Sequence, residues 1–592
     1  MKFKALADAF AQIEQESGRI KITHILAQTL SNANGHEAQI ICNLSLGQLH
    51  PPYIGTQFAL AEKSIIKVLA VILSLSAENV LKERARLGDL GLVFKEYASI
   101  EHMKHDLDVV AVYEFLVRIE NLGGAGSQEA KQHALLELLR QVDGLSGCYI
   151  IRIILAKLRL GFSDMTLIDA LSFMVTGDKS LRSALEHAYN ICVDLGLIAQ
   201  TLKDHGIDAI KHMEIQLGIP IRPAAAERLP NAKQIIEKIG PCIVEPKIDG
   251  FRLQIHIEQQ GSNKKIHFFS RNLTDMSDSF PDLYKACEQW PIHSLIAEGE
   301  AIVFDPANGR FVPFQETVKR KRKHDIVSVM QQLPLQLFLF DALYINGTSM
   351  LDKPYTVRRA ELEKISQLNQ SSSIQLIQDR TCTTAQEMQG YFDQALAHGL
   401  EGLMAKRPDS LYQPGKRNFN WIKLKKHQES SVEDTIDCVI LGYYLGSGKR
   451  TSFGIGAFLV GVYDKPNDRF ETIAKVGTGL SDQDWKILKT ECDKYKASEK
   501  PMNVVCVPEL YPSVWVDPVI VCEIFADEIT LSPLHTAGKG TGAGQGFALR
   551  FPRFLGYRPD KTATESTQVT EIKRMYHDQK KQELPENDNK DS

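Results

Sequence analysis

Over the first 217 residues, apolar positions recur three and four apart, the period of an amphipathic helix. The pattern is clearest over 58–73, 109–122, 133–142 and 147–160, with Gly, Pro and Asn breaks between, as at Pro51-Pro52 and Gly123-Gly-Ala-Gly126. After Gly218-Ile-Pro-Ile-Arg-Pro223 the period shortens to two. Strand-like runs lie over 242–244, 251–257, 265–269, 295–304 and 335–340, mixed with helical stretches over 356–367 and 385–398. From about residue 432 the runs are short and separated by Gly-rich turns, at 437–445, 456–463, 471–476 and 520–525. The reading is multidomain: an all-α region over 1–217, an α+β region over 218–428 and a small β-barrel over 429–578. A polar tail over 579–592 is expected to be disordered.

A chain of 592 residues is too long for one core. Its composition, 43% hydrophobic and 24% charged, excludes a fibrous or largely disordered protein. The net charge of -4 does not announce a nucleic-acid binder, although a global balance can hide a basic face. Ten cysteines stand singly with no C-x-x-C pair, which argues for buried reduced thiols rather than zinc or disulfides. The N-terminus lacks a secretory apolar run, and no stretch approaches the roughly 18 apolar residues of a membrane span. A soluble protein of the cytoplasm or nucleoid, with no membrane partner, is expected.

The candidate chemistry centres on Glu245-Pro-Lys247-Ile-Asp249-Gly250-Phe-Arg252. A K-x-D-G tetrapeptide alone is expected by chance in roughly 0.1 of chains this long. As a nucleophile, however, a lysine must lose a proton from an amine of ordinary pKa about 10.4, so nearby cations or bound metal are needed. Both requirements are met downstream. Glu298-Gly-Glu300 places two acids on one face of an apolar strand, and Glu401 opens Glu401-Gly-Leu-Met-Ala-Lys406. Lys406 is followed by Trp421-Ile-Lys423-Leu-Lys425, where period two puts Trp421, Lys423 and Lys425 on one face.

With Ser270-Arg271-Asn272 and Phe340-Asp341, these six segments stand in the order found in the covalent nucleotidyltransferases, and the chain resembles that superfamily. The flanks narrow the resemblance to ATP-dependent DNA ligases of the archaeal and eukaryotic replicative type. Residues 43–53, Gly88-Asp-Leu-Gly91, Gly123–Gly126 and Leu158-Arg159-Leu160-Gly161 resemble their helical DNA-binding domain. Asp434-Thr-Ile-Asp437, Gly446-Ser-Gly-Lys449-Arg450, residues 549–554 and Arg558-Pro-Asp560-Lys561 resemble their OB-fold domain.

The resemblance implies a nick-sealing enzyme in which Lys247 carries AMP taken from ATP. Glu245 would accept from the adenine amino group, and Phe340 would stack on the ring beside Trp421. Arg252 and Arg271 would sit near ribose and phosphates. Glu300 and Glu401 would serve the ribose and a Mg²⁺ or Mn²⁺ ion. Lys406, Lys423 and Lys425 would face the phosphates, and Arg558, Asp560 and Lys561 would orient pyrophosphate. Nicked duplex DNA is the implied partner, held by a monomer that encircles it. Arg159, Gly161, Lys449, Arg450 and the basic run 319–323, with Arg320 and Arg322, are the DNA-contact candidates. A sliding clamp is a further family partner, but no Q-x-x-(L/F)-x-x-F-F peptide is present. Two departures stand out: Glu298 where many relatives carry Asp, and Arg222-Pro-Ala-Ala-Ala226 in place of an apolar Met-Leu stretch. An RNA ligase or capping enzyme fits poorly with 200 helical residues in front. A DNA clamp without chemistry would not keep Lys247 and both acids.

Overall fold

The computed structural model describes residues 1–16, 18–98, 107–158, 160–305, 310–312, 317, 333–425, 435–446, 448–539 and 544–581. By contacts the chain forms two units, Met1–Leu75 with Phe94–Lys426 and Ser76–Val93 with His427–Ser592.

The first unit begins with helices, among them Gly35–Ser45, Glu62–Ile72, Val109–Asn121, Ser127–Leu139, Gly144–Ile154 and Leu195–Lys211. Four of these starts are set by side-chain caps. Asn34 and Glu37 form a reciprocal capping box, while Asp108, Asp143 and Asp194 each accept from a free N–H of their own first turn. The helix read over 58–73 is shorter at its front, because Ala59 takes φ 51° and Phe58 and Leu60 enter the core as extended chain. The one read over 147–160 stops at Ile154, with Ala156 at φ 52°.

The chain leaves the helices through residues 212–224, which are stitched to the next region. Gly218 N–H donates to His256 Nδ1 (3.1 Å), and Ile221 exchanges two hydrogen bonds with the Gln254 amide (2.8 and 3.0 Å). Arg222 N–H donates to Asn190 O at 2.8 Å.

Two sheets follow. One runs β1-β12-β11-β2-β10, from β1 (Ala225–Arg228), β2 (Cys242–Lys247), β10 (Arg380–Cys382), β11 (Gly402–Lys406) and β12 (Arg417–Lys425). The other runs β4-β3-β5-β7-β8, from β3 (Phe251–Gln260), β4 (Asn263–Ser270), β5 (Ser294–Asp305), β7 (Leu335–Ile345) and β8 (Thr348–Ser349). Short strands β6 (Arg310–Phe311) and β9 (Ile374–Leu376) flank β5 and β7.

Alternation along each strand decides which residues reach the space between the sheets. In β3, Leu253, Ile255 and Ile257 join an outer core with Trp290 and Leu362, while Arg252, Gln254 and His256 point the other way. In β12, Ile422 and Leu424 pack outward with Ile235 and Met388, leaving Trp421, Lys423 and Lys425 on the opposite face. An inner core of Ile191, Ile248, Ile296, Phe340, Tyr412 and Trp421 joins the sheets behind this polar set.

The second unit carries an eight-stranded sheet of β13 (Ile436–Tyr444), β14 (Ala457–Asp464), β15 (Arg469–Val476), β16 (Lys496–Ala497), β17 (Val504–Val505), β18 (Val514–Val516), β19 (Val521–Phe525) and β22 (Arg553–Tyr557). A hairpin of β20 (Glu528–Ser532) and β21 (Gly546–Arg550) completes it. The expected closed barrel is corrected to a half-barrel: among the described residues the pairing path does not return on itself. Helices Asp482–Lys494 and Val569–Lys581 cover its core with Trp485, Leu488, Ile572 and Tyr576.

The second helix also corrects the tail, because it continues past residue 578. Gln579 is buried and brackets Ile529, its Oε1 accepting from the Ile529 N–H (3.0 Å) and its Nε2 donating to the Ile529 carbonyl (3.3 Å). Polar composition hid that anchor; residues 582–592 lie outside the described residues. Nine of the ten thiols are buried, and among the described residues no single helix is long and apolar enough to cross a membrane.

Candidate active site

Lys247 is the last residue of β2, flanked by β11 with Lys247 opposite Gly402, and Glu401 N–H donates to the Lys247 carbonyl at 3.1 Å. The chain then turns through Ile248, Asp249 and Gly250 into β3. A Cβ on Gly250 would stand 2.5 Å from the Ala301 carbonyl oxygen, so only glycine closes this turn. With that approach, Gly250 N–H donates to Glu300 Oε1 at 3.1 Å. The spacing of the K-x-D-G segment is thus the spacing that brings a β2 lysine and a β5 glutamate together. Gly402, at φ 148°, is equally constrained: its Cβ would lie 2.1 Å from the Leu424 carbonyl oxygen.

The electrostatics favour a reactive amine. Glu401 pairs with both the Lys247 and Lys425 amines. Burial lowers the Lys247 pKa, opposed by Glu300 and Asp249 and assisted by Arg271 and Arg252. Burial also draws Lys425 down to about 8, with Lys247 adding repulsion, and lowers Lys423 beside Arg417 and Lys247. Glu300 is pushed up to about 7 by burial, tempered by Lys247 and Arg252.

These groups line one cleft of about 410 Å³. It contains Lys247, Glu245, Arg252, Arg271, Glu300, Phe340, Glu401, Lys406, Trp421, Lys423 and Lys425, with Ala225 and Ala226 of the departing Arg222–Ala226 segment. Glu298, the other departure, is fully buried behind it. Glu298 accepts from Arg252 Nη2 at 2.9 Å through each oxygen and from the Tyr412 hydroxyl at 2.9 Å, so it fixes Arg252. Arg252 in turn lies 5.5 Å from the ring centres of Phe340 and Trp421.

Lys406 is redirected. Its amine reaches Glu245 Oε1 and Oε2 (3.0 and 2.8 Å) and the Phe340 carbonyl (3.1 Å), away from the Lys247–Glu401–Lys425 cluster. It belongs with the aromatic end of the cleft rather than with the cations. Arg558, Asp560 and Lys561 lie in the second unit. There Arg558 and Lys561 both pair with Asp437 (3.1 and 2.5 Å), and Asp560 pairs with Arg558. Of the DNA-contact candidates, Gly161 is an exposed turn residue at φ 80°. Arg450 donates to the Gly456 carbonyl (2.7 Å) and stacks 4.6 Å from the Trp485 ring centre. Arg159, the run 319–323 with Arg320 and Arg322, and the Lys449 side chain lie outside the described residues.

Three site residues escape the sequence reading. Arg417 lines the cleft, and extending the period-two face of Trp421, Lys423 and Lys425 back along β12 reaches it. Tyr355 and Arg359, on the helix Tyr355–Ser366, touch Glu245 from behind. No spacing announces them, since that helix is brought to Glu245 by tertiary packing.

Comparison with known proteins agrees over the whole chain. Family models described as ATP dependent DNA ligase domain, DNA ligase N terminus and ATP dependent DNA ligase C terminal region match residues 223–425, 2–172 and 451–561. The chain is 42% identical over 588 residues to a protein named probable DNA ligase from Dictyoglomus turgidum, covering 99% of each. It is 36% identical over 601 residues to the DNA ligase of Sulfolobus acidocaldarius, again covering 99% of each. A solved structure named Pmar-Lig_Pre. shares the fold, with a TM-score of 0.54 at 18% identity over 94% of this chain and 99% of that one.

Proposed function

The chain belongs to the ATP-dependent DNA ligase family, whose activity is nick sealing through a covalent adenylate, and we propose that Lys247 is the residue adenylated. The observation that carries this is the single cleft in which Lys247 meets two carboxylates, Glu300 and Glu401, and the cations Arg271, Lys423 and Lys425.

In the first step the neutral Lys247 amine attacks the α-phosphorus of ATP. An N–P bond forms, the α–β P–O bond breaks, pyrophosphate leaves with the electron pair, and the nitrogen gives one proton to solvent. Burial, with Arg271 and Arg252, makes the charged amine unfavourable, which favours its deprotonation. In the second step an oxygen of the nick's 5′-phosphate attacks the same phosphorus, the N–P bond breaks, and the lysine nitrogen regains a proton. In the third the 3′-hydroxyl oxygen attacks the 5′-phosphorus and gives its proton to solvent, the new P–O ester bond forms, and the P–O bond to AMP breaks so that AMP leaves with the electron pair. Charge gathers on phosphoryl oxygens each time, and Lys423 and Lys425 on β12 are fixed donors for it.

Glu300 and Glu401 fit a Mg²⁺ or Mn²⁺ ion, because both are hard oxygen donors that already gather cations, and such an ion would neutralise phosphoryl charge. Phe340 and Trp421 form the base end, with Lys406 reassigned to it through Glu245. Arg558, Asp560 and Lys561 serve pyrophosphate release, and the half-barrel acts as an OB-fold domain. The protein works as an intracellular monomer around chromosomal nicks, held through phosphates because sealing must ignore sequence. Roles in replication and repair are typical of the family.

The test is incubation with α-labelled ATP and a divalent cation, without DNA, followed by a denaturing gel. A labelled band that pyrophosphate removes is expected; no label, even after pyrophosphate has stripped any bound AMP, would reject the proposal.

The rate of that labelling should rise with pH. The Glu300 carboxyl, raised to about 7 by burial, is neutral below that pH, and the Lys247 amine, whose pKa burial lowers, must also shed its proton to react. A single-turnover profile is expected to climb more steeply below pH 7 than above it, and Glu300→Gln to lose the lower break. A flat profile between pH 6 and 8 would contradict this assignment.

A further inference from the structure

At the head of β13, Asp437 anchors a charged group that lies wholly within the second unit. Its Oδ1 and Oδ2 accept from Arg558 Nη1 at 3.1 and 3.3 Å, and Oδ2 also accepts from Lys561 Nζ at 2.5 Å. Asp560 takes the other edge of the same guanidinium, accepting from Nε at 3.0 Å and from Nη2 at 2.8 Å. The Asp437 side chain is 10% exposed, against 28% for Arg558 and 33% for Lys561. The acid thus lies deeper than the two cations it holds. Its backbone is fixed too. Asp437 N–H donates to Thr567 Oγ1 (3.0 Å), and Thr567 N–H donates back to the Asp437 carbonyl (2.9 Å). The strand after the cations' turn partner is equally tied, since Arg558 N–H donates to the Val521 carbonyl of β19 (2.9 Å).

Two long cationic side chains three residues apart repel each other and spread unless a counter-charge gathers them. One buried carboxylate shared by both removes that freedom in advance, and the ordering cost is then met by folding rather than by the ligand. Lys561 spends one of its three ammonium hydrogens on Asp437 and has no other partner among the described residues, so donors remain for an anion on the solvent side. We infer that Asp437 is a positioning residue: it holds Arg558 and Lys561 side by side as one preformed site for pyrophosphate. It therefore acts in the first step alone, because pyrophosphate takes part in no other.

This rests on the pyrophosphate role proposed for Arg558 and Lys561 and goes beyond it by assigning their arrangement to a residue that does not itself meet the nucleotide. The variant is Asp437→Asn, which keeps the size, removes the charge and turns an amide donor toward a cation. Self-labelling from α-labelled ATP should slow on the order of tenfold, the scale of one hydrogen bond to a charged group. Stripping of the label by pyrophosphate, the same step reversed, should slow by the same factor. Sealing of a nick that already carries AMP on its 5′-phosphate should change less than twofold. Adding Asp437→Asn to an Arg558→Gln, Lys561→Met double variant should slow labelling less than twofold further. That comparison holds even if Asp437→Asn alone does not fold, because the triple variant removes the charges together. Labelling by Asp437→Asn at the wild-type rate, equal loss on label and on the AMP-bearing nick, or a further tenfold loss in the triple variant would overturn the inference alone. Undiminished labelling in the double variant would overturn the pyrophosphate role beneath it, and a wild-type protein that takes no label would overturn the Lys247 assignment.

Discussion

Lys247→Arg is expected to take no label from α-labelled ATP, a loss on the order of 10⁴-fold or more, while the protein stays folded. The substitution separates nucleophilicity from charge. An arginine at the end of β2 keeps a cation for Glu401, which otherwise would lose one of its two partners. A guanidinium, however, does not deprotonate in proteins, so no nitrogen lone pair is available for phosphorus. Lys247→Ala removes charge and nucleophile together and is expected to give the same blank lane. The two later steps supply the control. A nick carrying AMP on its 5′-phosphate needs no lysyl intermediate, so sealing of that substrate should survive in Lys247→Arg far better than sealing of an ordinary nick. Label retained on Lys247→Arg would move the covalent site elsewhere, and equal loss on both nicks would mean that Lys247 acts chiefly by holding the cleft together.

The parts of this site legible in the sequence are those written along one strand or one turn. Lys247 and Gly250 lie three residues apart because one close turn joins β2 to β3, and Glu298 and Glu300 share a face because strands alternate. That same rule does not separate their duties. Glu298 is sealed behind the cleft by Arg252 and Tyr412, whereas Glu300 lines the cleft and acts on the Lys247 charge, and Tyr412, over 100 residues away in sequence, is part of the difference. Lys406 is the same lesson in reverse. Its place among downstream lysines suggested phosphates, but β11 pairs antiparallel with β2 so that Lys406 stands opposite Ile243, one pair beyond Val244 and two from Glu245. The buried amine therefore falls within reach of the Glu245 carboxylate. In the second unit, Trp485 and Gln579 sit in sequences rich in Asp, Glu and Lys, and charged residues on the solvent side of a single helix obscure the few side chains that anchor it.

Arg358→Leu is expected to be the most destabilising single change near the cleft. Arg358 and Asp341 are both fully buried, joined through Nε to Oδ1 (2.7 Å) and Nη2 to Oδ2 (2.9 Å). The remaining nitrogen, Nη1, donates to the Lys353 and Ser410 carbonyls (2.7 and 3.0 Å). Removing one partner leaves a buried carboxylate without its paired guanidinium, which typically costs about 3–5 kcal/mol. At about 2–4 °C per kcal/mol for a domain of 150–250 residues, the first transition should fall by roughly 6–20 °C. The damage should reach the chemistry by a traceable route. Asp341 follows Phe340 on β7, and Ser410 precedes Tyr412, whose hydroxyl holds Glu298 against Arg252. Thus KM for ATP in self-labelling should rise in the folded fraction below the transition. Asp341→Leu combined with Arg358→Met removes both charges and should recover much of the lost stability, because the desolvation cost disappears with the pair. A double variant no more stable than Arg358→Leu would mean that the carbonyls of Lys353 and Ser410, not the unpaired carboxylate, set the cost.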